Sequence, residues 1–212
     1  MCAQFYVEPG EVVLRDYLEQ ANRSPLAPRF RERNARDVPA AGEIFPSAVV
    51  PVIAMNKNGT RKVFPMKWGF SLKPFAGAAQ SRLLINARSE TAAEKPMFRE
   101  AWRMHRCAIP TSWYYEWEHQ PQPDGRTKTG QKYAIRPRGQ RITWLAGLYR
   151  MEENLPVFTV LTRAPGEEIR WIHDRMPMIL PEDTVEEWIS PQTDPELLRE
   201  KAITSLSFEA AV

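Results

Sequence analysis

The apolar positions of this chain fall into short runs and alternations rather than long helical stripes, and that pattern predicts its elements. Residues 2–7 read as a short strand. Residues 8–22 place Val12, Val13, Leu14, Tyr17 and Leu18 at helical spacing and predict an amphipathic helix, which Pro25 and Pro28 then break. Two β-rich runs, 48–55 and 61–68, joined through Lys57, Asn58 and Gly59, predict a hairpin on an Asn-Gly turn. Residues 69–83 hold Pro74 and Gly77 without periodicity and read as a loop leading into Leu83, Leu84 and Ile85. A helix is expected over 93–104. The runs 105–118, 132–137, 141–149 and 156–162 are rich in β-branched and aromatic residues and predict successive strands, with polar 120–130 as a hairpin loop. Residues 167–172 predict a short helix, 176–180 a strand, and 182–189 and 194–202 terminal helices. Many strands with interspersed helices argue the α+β class. No repeat or linker divides the chain, so its 212 residues read as one domain.

Composition narrows the function classes. The longest apolar stretch, 48–54, is strand-sized and far below the roughly 18 residues of a membrane span, so no membrane partner is expected. Glu8 and Glu11 stand where an export signal would need a basic and then an apolar segment, which predicts a cytoplasmic protein. In that compartment Cys2 and Cys107 are expected to stay unpaired, with Cys107 in the core. The formal charge of +3 permits binding to a polyanion without requiring it. His105, His119 and His173 are scattered, and no Cys-x-x-Cys, His-x-x-x-His or glycine-rich phosphate loop occurs, so neither metal nor cofactor is expected.

Cys2 is followed by the small Ala3, so removal of Met1 would leave one residue with a free α-amine and a free thiol. Such a 1,2-aminothiol traps aldehydes: the amine forms an imine and the thiol closes a five-membered thiazolidine. The plainer reading of Cys2 is a small buried core residue. Three other polar positions stand inside apolar or aromatic stretches. Glu116 lies in Trp113-Tyr114-Tyr115-Glu116-Trp117, where an aromatic cage would raise its pKa and suit it to proton transfer; alternatively it faces water at a strand edge. His173, beside Asp174 and Arg175, is either a proton shuttle or a structural histidine. Asn86 is either a site residue or the N-cap of the next helix. Arg88, Arg163, Arg170 and Arg175, with Trp68, Phe70, Phe75 and Trp117, offer the charge and flat rings that grip a single strand. Most of the seven tryptophans are nonetheless expected in the core, with one or two exposed.

Taken in order, Cys2, Trp68-Gly69, Ile85-Asn86-Ala87-Arg88-Ser89-Glu90-Thr91, Tyr115-Glu116-Trp117, Phe158-Thr159-Val160-Leu161-Thr162 and His173-Asp174-Arg175-Met176-Pro177 resemble the SRAP family, the SOS-response-associated peptidases or abasic-site-processing proteins. The resemblance spans residues 2 to about 190. It implies a barrel-like core of antiparallel and mixed sheets flanked by helices. It also implies a covalent crosslink between mature Cys2 and the aldehyde of an abasic site in single-stranded DNA, alongside the peptidase (autoproteolytic) and lyase-type activities attached to such proteins. By motif, Asn86, Glu116 and His173 would join Cys2 as catalytic residues. Arg88, Arg175, Trp117, Phe75 and Thr162 would contact DNA. Where the family begins Cys-Gly-Arg this chain has Cys2-Ala3-Gln4, which implies a lower DNA affinity or a shallower salt dependence of binding. The family's Asn-x-x-Pro segment stands here as Glu43-Ile44-Phe45-Pro46, and its loop tryptophans as Pro74 and Phe75. Two readings of other classes stay open: a thiol peptidase using Cys2 and His173, limited to its own leader, and a non-catalytic single-strand binder. A monomer is the default.

Overall fold

The computed structural model describes residues 2–33, 39–72, 82–122 and 124–211. In chain order its elements are β1 (Gln4–Val7), α1 (Val12–Arg23), α2 (Ala27–Arg33), β2 (Gly42–Ile44), β3 (Val49–Met55), β4 (Arg61–Trp68), β5 (Phe70–Leu72), β6 (Arg82–Leu84) and β7 (Asn86–Arg88). They continue with α3 (Pro96–Met104), β8 (Arg106–Thr111), β9 (Trp113–Pro121), β10 (Thr127–Pro137), β11 (Thr143–Glu152), β12 (Leu155–Arg163), β13 (Met176–Pro177), β14 (Ile179–Leu180), α4 (Val185–Ile189), α5 (Pro195–Glu200) and β15 (Leu206–Ala210). Among the described residues no helix is long and apolar enough to cross a membrane.

Five strands close on one another as a barrel. β12 runs parallel to β4, and the pairs β4–β3, β3–β8, β8–β11 and β11–β12 complete the circuit antiparallel. Closure draws three strands together at Gly147, which faces Cys107 on β8 and Val160 on β12. A Cβ there would lie 2.7 Å from Ile109 Cδ1 and 3.0 Å from the Thr159 carbonyl, so only glycine fits. β7 extends the barrel sheet parallel to β12, while a second, antiparallel sheet has the order β15-β10-β9-β1-β2. This is the α+β architecture with a barrel-like core that the sequence implied.

The chain passes from barrel to second sheet at Ser112, and the corner leaves no main-chain group idle. Ser112 N–H donates to the Tyr6 carbonyl at 2.8 Å, its Oγ accepts from Glu8 N–H at 2.9 Å, and its carbonyl accepts from Thr143 Oγ1 at 2.9 Å. What read as one strand over 105–118 is therefore two, β8 and β9, in different sheets. The hairpin of β3 and β4 forms as expected, with Gly59 at φ 72°. The first helix starts later than its apolar spacing suggested, at Val12, where Glu11 caps it by accepting from Leu14 N–H. Pro28 does not stop the helical path: it lies in the first turn of α2, where a missing N–H costs nothing. The polar loop over 120–130 contracts because β9 and β10 extend into it, and β5 and β6 border the supposed loop over 69–83, of which 73–81 lie outside the described residues. β15 escaped the sequence because only Leu206 of its five residues is fully buried, so no alternation marks it.

Arg106 at the start of β8 is 1% exposed and faces no carboxylate at bonding distance among its described hydrogen bonds. Its guanidinium donates instead to the carbonyls of Trp102 and Arg103 at the end of α3, to Trp188 and Ser190 at the end of α4, and to Thr193. Helix C-termini present unsatisfied carbonyls and a partial negative charge, so one cation closes two helices against the barrel. Burial lowers its pKa to about 10, which still leaves it charged at neutral pH. Replacing Arg106 with Met removes five donors and leaves the carbonyls buried. The expected cost is on the order of 3–5 kcal/mol, a fall of about 10 °C in thermal midpoint for a chain of this size. A melt of Arg106→Met within 2 °C or so of the parent would refute this assignment.

Candidate active site

Register brings the first chemistry together. Gln4 stands opposite Tyr115 and Phe5 opposite Tyr114, so the chain upstream of β1 runs along β9 toward Glu116. Cys2 is fully buried there. From the barrel sheet, Asn86 on β7 donates its Nδ2 hydrogen to the Cys2 carbonyl at 2.8 Å, so the residue is tied to both sheets. Asn86 is thus not a helix cap, since it pairs within β7 opposite Val160. Its Oδ1 is buried with no hydrogen-bond partner. Burial, and after it the carboxylate of Glu116, pushes the Cys2 thiol well above the usual range and holds it as S–H.

Glu116 is buried on β9, and that burial raises its pKa. The aromatic cage is only partly as the sequence suggested. Alternation along β9 sends Tyr115 and Trp117 to the opposite face, where Lys132 Nζ sits 3.9 Å and 5.5 Å from their ring centres. Tyr114 and, across the ladder, Tyr133 share the face of Glu116.

His173 reaches Glu116 from a loop. The turn Glu167–Ile169 buries Ile169, Ile172 is buried behind it, and His119 N–H on β9 donates to the Ile172 carbonyl at 2.8 Å, docking the loop on the strand. His173 Nε2 then lies 3.8 Å from Glu116 Oε1, both side chains 5% exposed. Burial lowers the pKa of His173 to about 4, so the imidazole is neutral. Arg175 N–H donates to its Nδ1 at 3.0 Å, which leaves the ring proton on Nε2, directed at Glu116. A spacing of 3.8 Å exceeds that of a charge-assisted hydrogen bond, roughly 2.7–2.9 Å. The two buried groups therefore face each other without a charge-assisted bond between them.

The expected DNA contacts divide. Arg88 on β7 is exposed. Arg175 is held by Glu90 through two bonds of 2.8 Å, and Thr162, fully buried, lies beneath it at 3.4 Å. Trp117 is half-buried on the far face of β9, and Phe75 lies outside the described residues, as does Pro74. Trp68 and Phe70, offered by the sequence as stacking faces, are fully buried core, with Trp68 Nε1 bonded to the Ile85 carbonyl. Of the tryptophans only Trp171 is well exposed, at 47%.

Two neighbours were missed. The Tyr114 hydroxyl is buried without a hydrogen-bond partner on the face of Glu116. The ring of His119 lies 3.9 Å from that of His173. The alternation around Glu116 could have indicated Tyr114; nothing local marks His119, because its partner comes from a distant loop. The histidines are therefore not all scattered, as the sequence spacing suggested.

Comparison with known proteins places this arrangement in a family. The chain is 31% identical over 191 residues to the abasic site processing protein YoqW of Bacillus subtilis, covering 87% of this chain and 80% of that one. It is 32% identical over 191 residues to YobE of the same organism, described likewise, with 87% and 81% covered. The crystal structure of a protein from Bacteroides thetaiotaomicron superposes with a TM-score of 0.70 at 19% identity, covering 100% of this chain and 92% of the other, which shows the shared fold. The model of the SOS response associated peptidase (SRAP) family matches residues 1–210, and the chain belongs to that family.

Proposed function

We propose that this protein processes abasic sites in DNA, with a preference for single strands, by crosslinking the lesion's aldehyde to Cys2 once Met1 has been removed. The observation that carries the reading is the 2.8 Å bond from Asn86 to the Cys2 carbonyl, which fixes that residue beside a buried carboxyl and imidazole. The names of its relatives support the substrate.

The α-amine of Cys2 attacks the C1′ aldehyde of the ring-opened sugar, forming a carbon–nitrogen bond. Loss of one water from the carbinolamine gives the imine. Cys2 Sγ then adds to the imine carbon while the thiol proton passes to nitrogen, closing the thiazolidine; nothing is oxidised or reduced. Glu116, its pKa raised, takes a proton from the ammonium and returns one to the departing hydroxyl. Asn86 Oδ1, a buried acceptor without a partner, receives an amine N–H. For reopening, protonated Glu116 gives its proton to the departing sulfur as the nitrogen lone pair re-forms the imine, and neutral His173 assists by donating its Nε2 hydrogen bond to the carboxyl left behind. Because the ring consumes the imine, it also suppresses β-elimination and strand cleavage. Arg88 and Arg175 contact flanking phosphates and Thr162 positions Arg175, while Trp117, on the face of β9 opposite Glu116, and Phe75 serve as stacking faces for bases away from the opened site. A thiol peptidase has less support, since it needs a thiolate and burial holds Cys2 as S–H.

Untagged protein incubated with a single-stranded oligonucleotide bearing one abasic site is expected to give an adduct on a denaturing gel, with intact mass showing Met1 absent and one water lost. An N-terminal extension abolishes it, and Cys2→Ala and Cys2→Ser, which keep the amine but cannot close the thiazolidine, give only a borohydride-trappable imine. An adduct from Cys2→Ala that survives denaturation without borohydride, or none from Met1-free parent protein, would overturn the proposal.

Glu116→Gln is expected to slow adduct formation roughly 10²- to 10⁴-fold without unfolding the chain. His173→Ala is expected to impair release preferentially, read as slower transfer of the protein to a competing abasic oligonucleotide. Parental rates in both variants would remove these roles.

A further inference from the structure

We infer that His119, His173 and Asp174 form a binding site for a divalent transition ion of the zinc class, which when filled inhibits the reaction proposed above. One ligand atom from each residue lies within 4.8 Å of the other two. Two imidazoles and a carboxylate are the donor set that such ions prefer over magnesium or calcium. Around a tetrahedral ion with bonds of about 2.1 Å, donors stand about 3.4 Å apart. The described spread closes by small rotations, since His119 is exposed and the Asp174 side chain is 83% exposed. Solvent can also deliver the ion and occupy its remaining position.

A second observation points to a cation. His173 Nδ1 has a single in-plane lone-pair position, and two neighbours claim it. Arg175 N–H at 3.0 Å requires a lone pair there, whereas the carboxylate of Asp174, with Oδ1 at 2.8 Å, requires something positive between the two atoms. A metal ion that takes the Nδ1 lone pair in place of the Arg175 N–H, with the 2.8 Å pair opening to coordination spacing, supplies that positive charge, and the adjacent ring of His119 at 3.9 Å adds a third donor from β9. A filled site would hold the imidazole in one orientation and place two positive charges beside Glu116. Both changes oppose proton exchange between these groups, so inhibition rests on the proton-transfer roles proposed above, whereas ion binding does not.

Isothermal titration of Zn²⁺ into untagged protein tests the site. One ion per chain is expected, bound equally by Cys2→Ala, which removes the competing thiol. Affinity is expected to fall at least about tenfold in both His119→Ala and Asp174→Asn, the lower end of what even outer-shell losses cost. Absence of binding, loss in Cys2→Ala, or full binding in both ligand variants would overturn the site. In parallel, zinc is expected to slow adduct formation by the parent reversibly with EDTA. In His119→Ala the zinc effect, taken relative to that variant's own metal-free rate, is expected to be at least about tenfold weaker. Zinc bound without slowing the reaction would overturn the inhibitory role. Zinc bound by a protein that forms no adduct at all would overturn the crosslinking proposal and leave the metal site standing.

Discussion

A chain terminus is normally the freest part of a domain, and here it is immobilised on three sides. β1 pairs with β2 along one edge and β9 along the other, and Phe5 buries its ring against Trp68 at 4.9 Å. Upstream of the last paired residue, Asn86 holds the Cys2 carbonyl from the other sheet. Ordering a residue costs about 1–2 kcal/mol of backbone entropy. Burial of Phe5 and Val7 offsets part of that, returning about 1.5–3 kcal/mol for each large apolar side chain. The rest of the site depends on this anchoring, because a reactive group at a chain end is useful only when its position is fixed relative to the groups that move protons.

Those groups share one electrostatic solution. Burial drives Glu116 up and His173 down, so each is displaced toward its uncharged form, and the pair avoids the desolvation cost of two buried ions. A carboxyl raised toward neutrality exchanges protons readily near physiological pH. An imidazole that carries its proton on Nε2 presents a donor toward that carboxyl. Arg106 shows the contrasting solution: a buried charge retained, because two helix ends supply the negative field that makes it tolerable.

Legibility in the sequence followed the range of the interactions. The β3–β4 hairpin and the barrel strands could be read because alternation and an Asn-Gly turn are local signals. The division of 105–118 at Ser112 could not, since the corner is set by Tyr6, Glu8 and Thr143, all remote in the chain. α2 was hidden by treating Pro28 as a breaker without asking whether it falls in a first turn. At the site, Cys2, Asn86, Glu116 and His173 stood out as polar residues in apolar or terminal settings. Strand alternation could have separated Trp117 from Glu116. The pairing of His119 with His173 required the loop's docking on β9, which no spacing encodes.

The elevated pKa of Cys2 bears on the order of bond formation. A thiol attacking first, as in a peptidase, must be ionised, and here both burial and the neighbouring carboxylate oppose ionisation. An amine attacking first requires only loss of a proton, for which Glu116 is placed nearby. Once the imine exists, the thiol is on the adjacent carbon and the ring closes within one residue. The high effective concentration of such intramolecular reactions compensates for the weaker nucleophile. Burial that would disable a hydrolytic cysteine therefore costs an aminothiol little. It also protects the sulfur from oxidation, which attacks exposed thiolates first. Under the proposed function, a fully buried cysteine made N-terminal by loss of Met1 is thus better matched to capturing an aldehyde through its amine than to cleaving an amide through its sulfur.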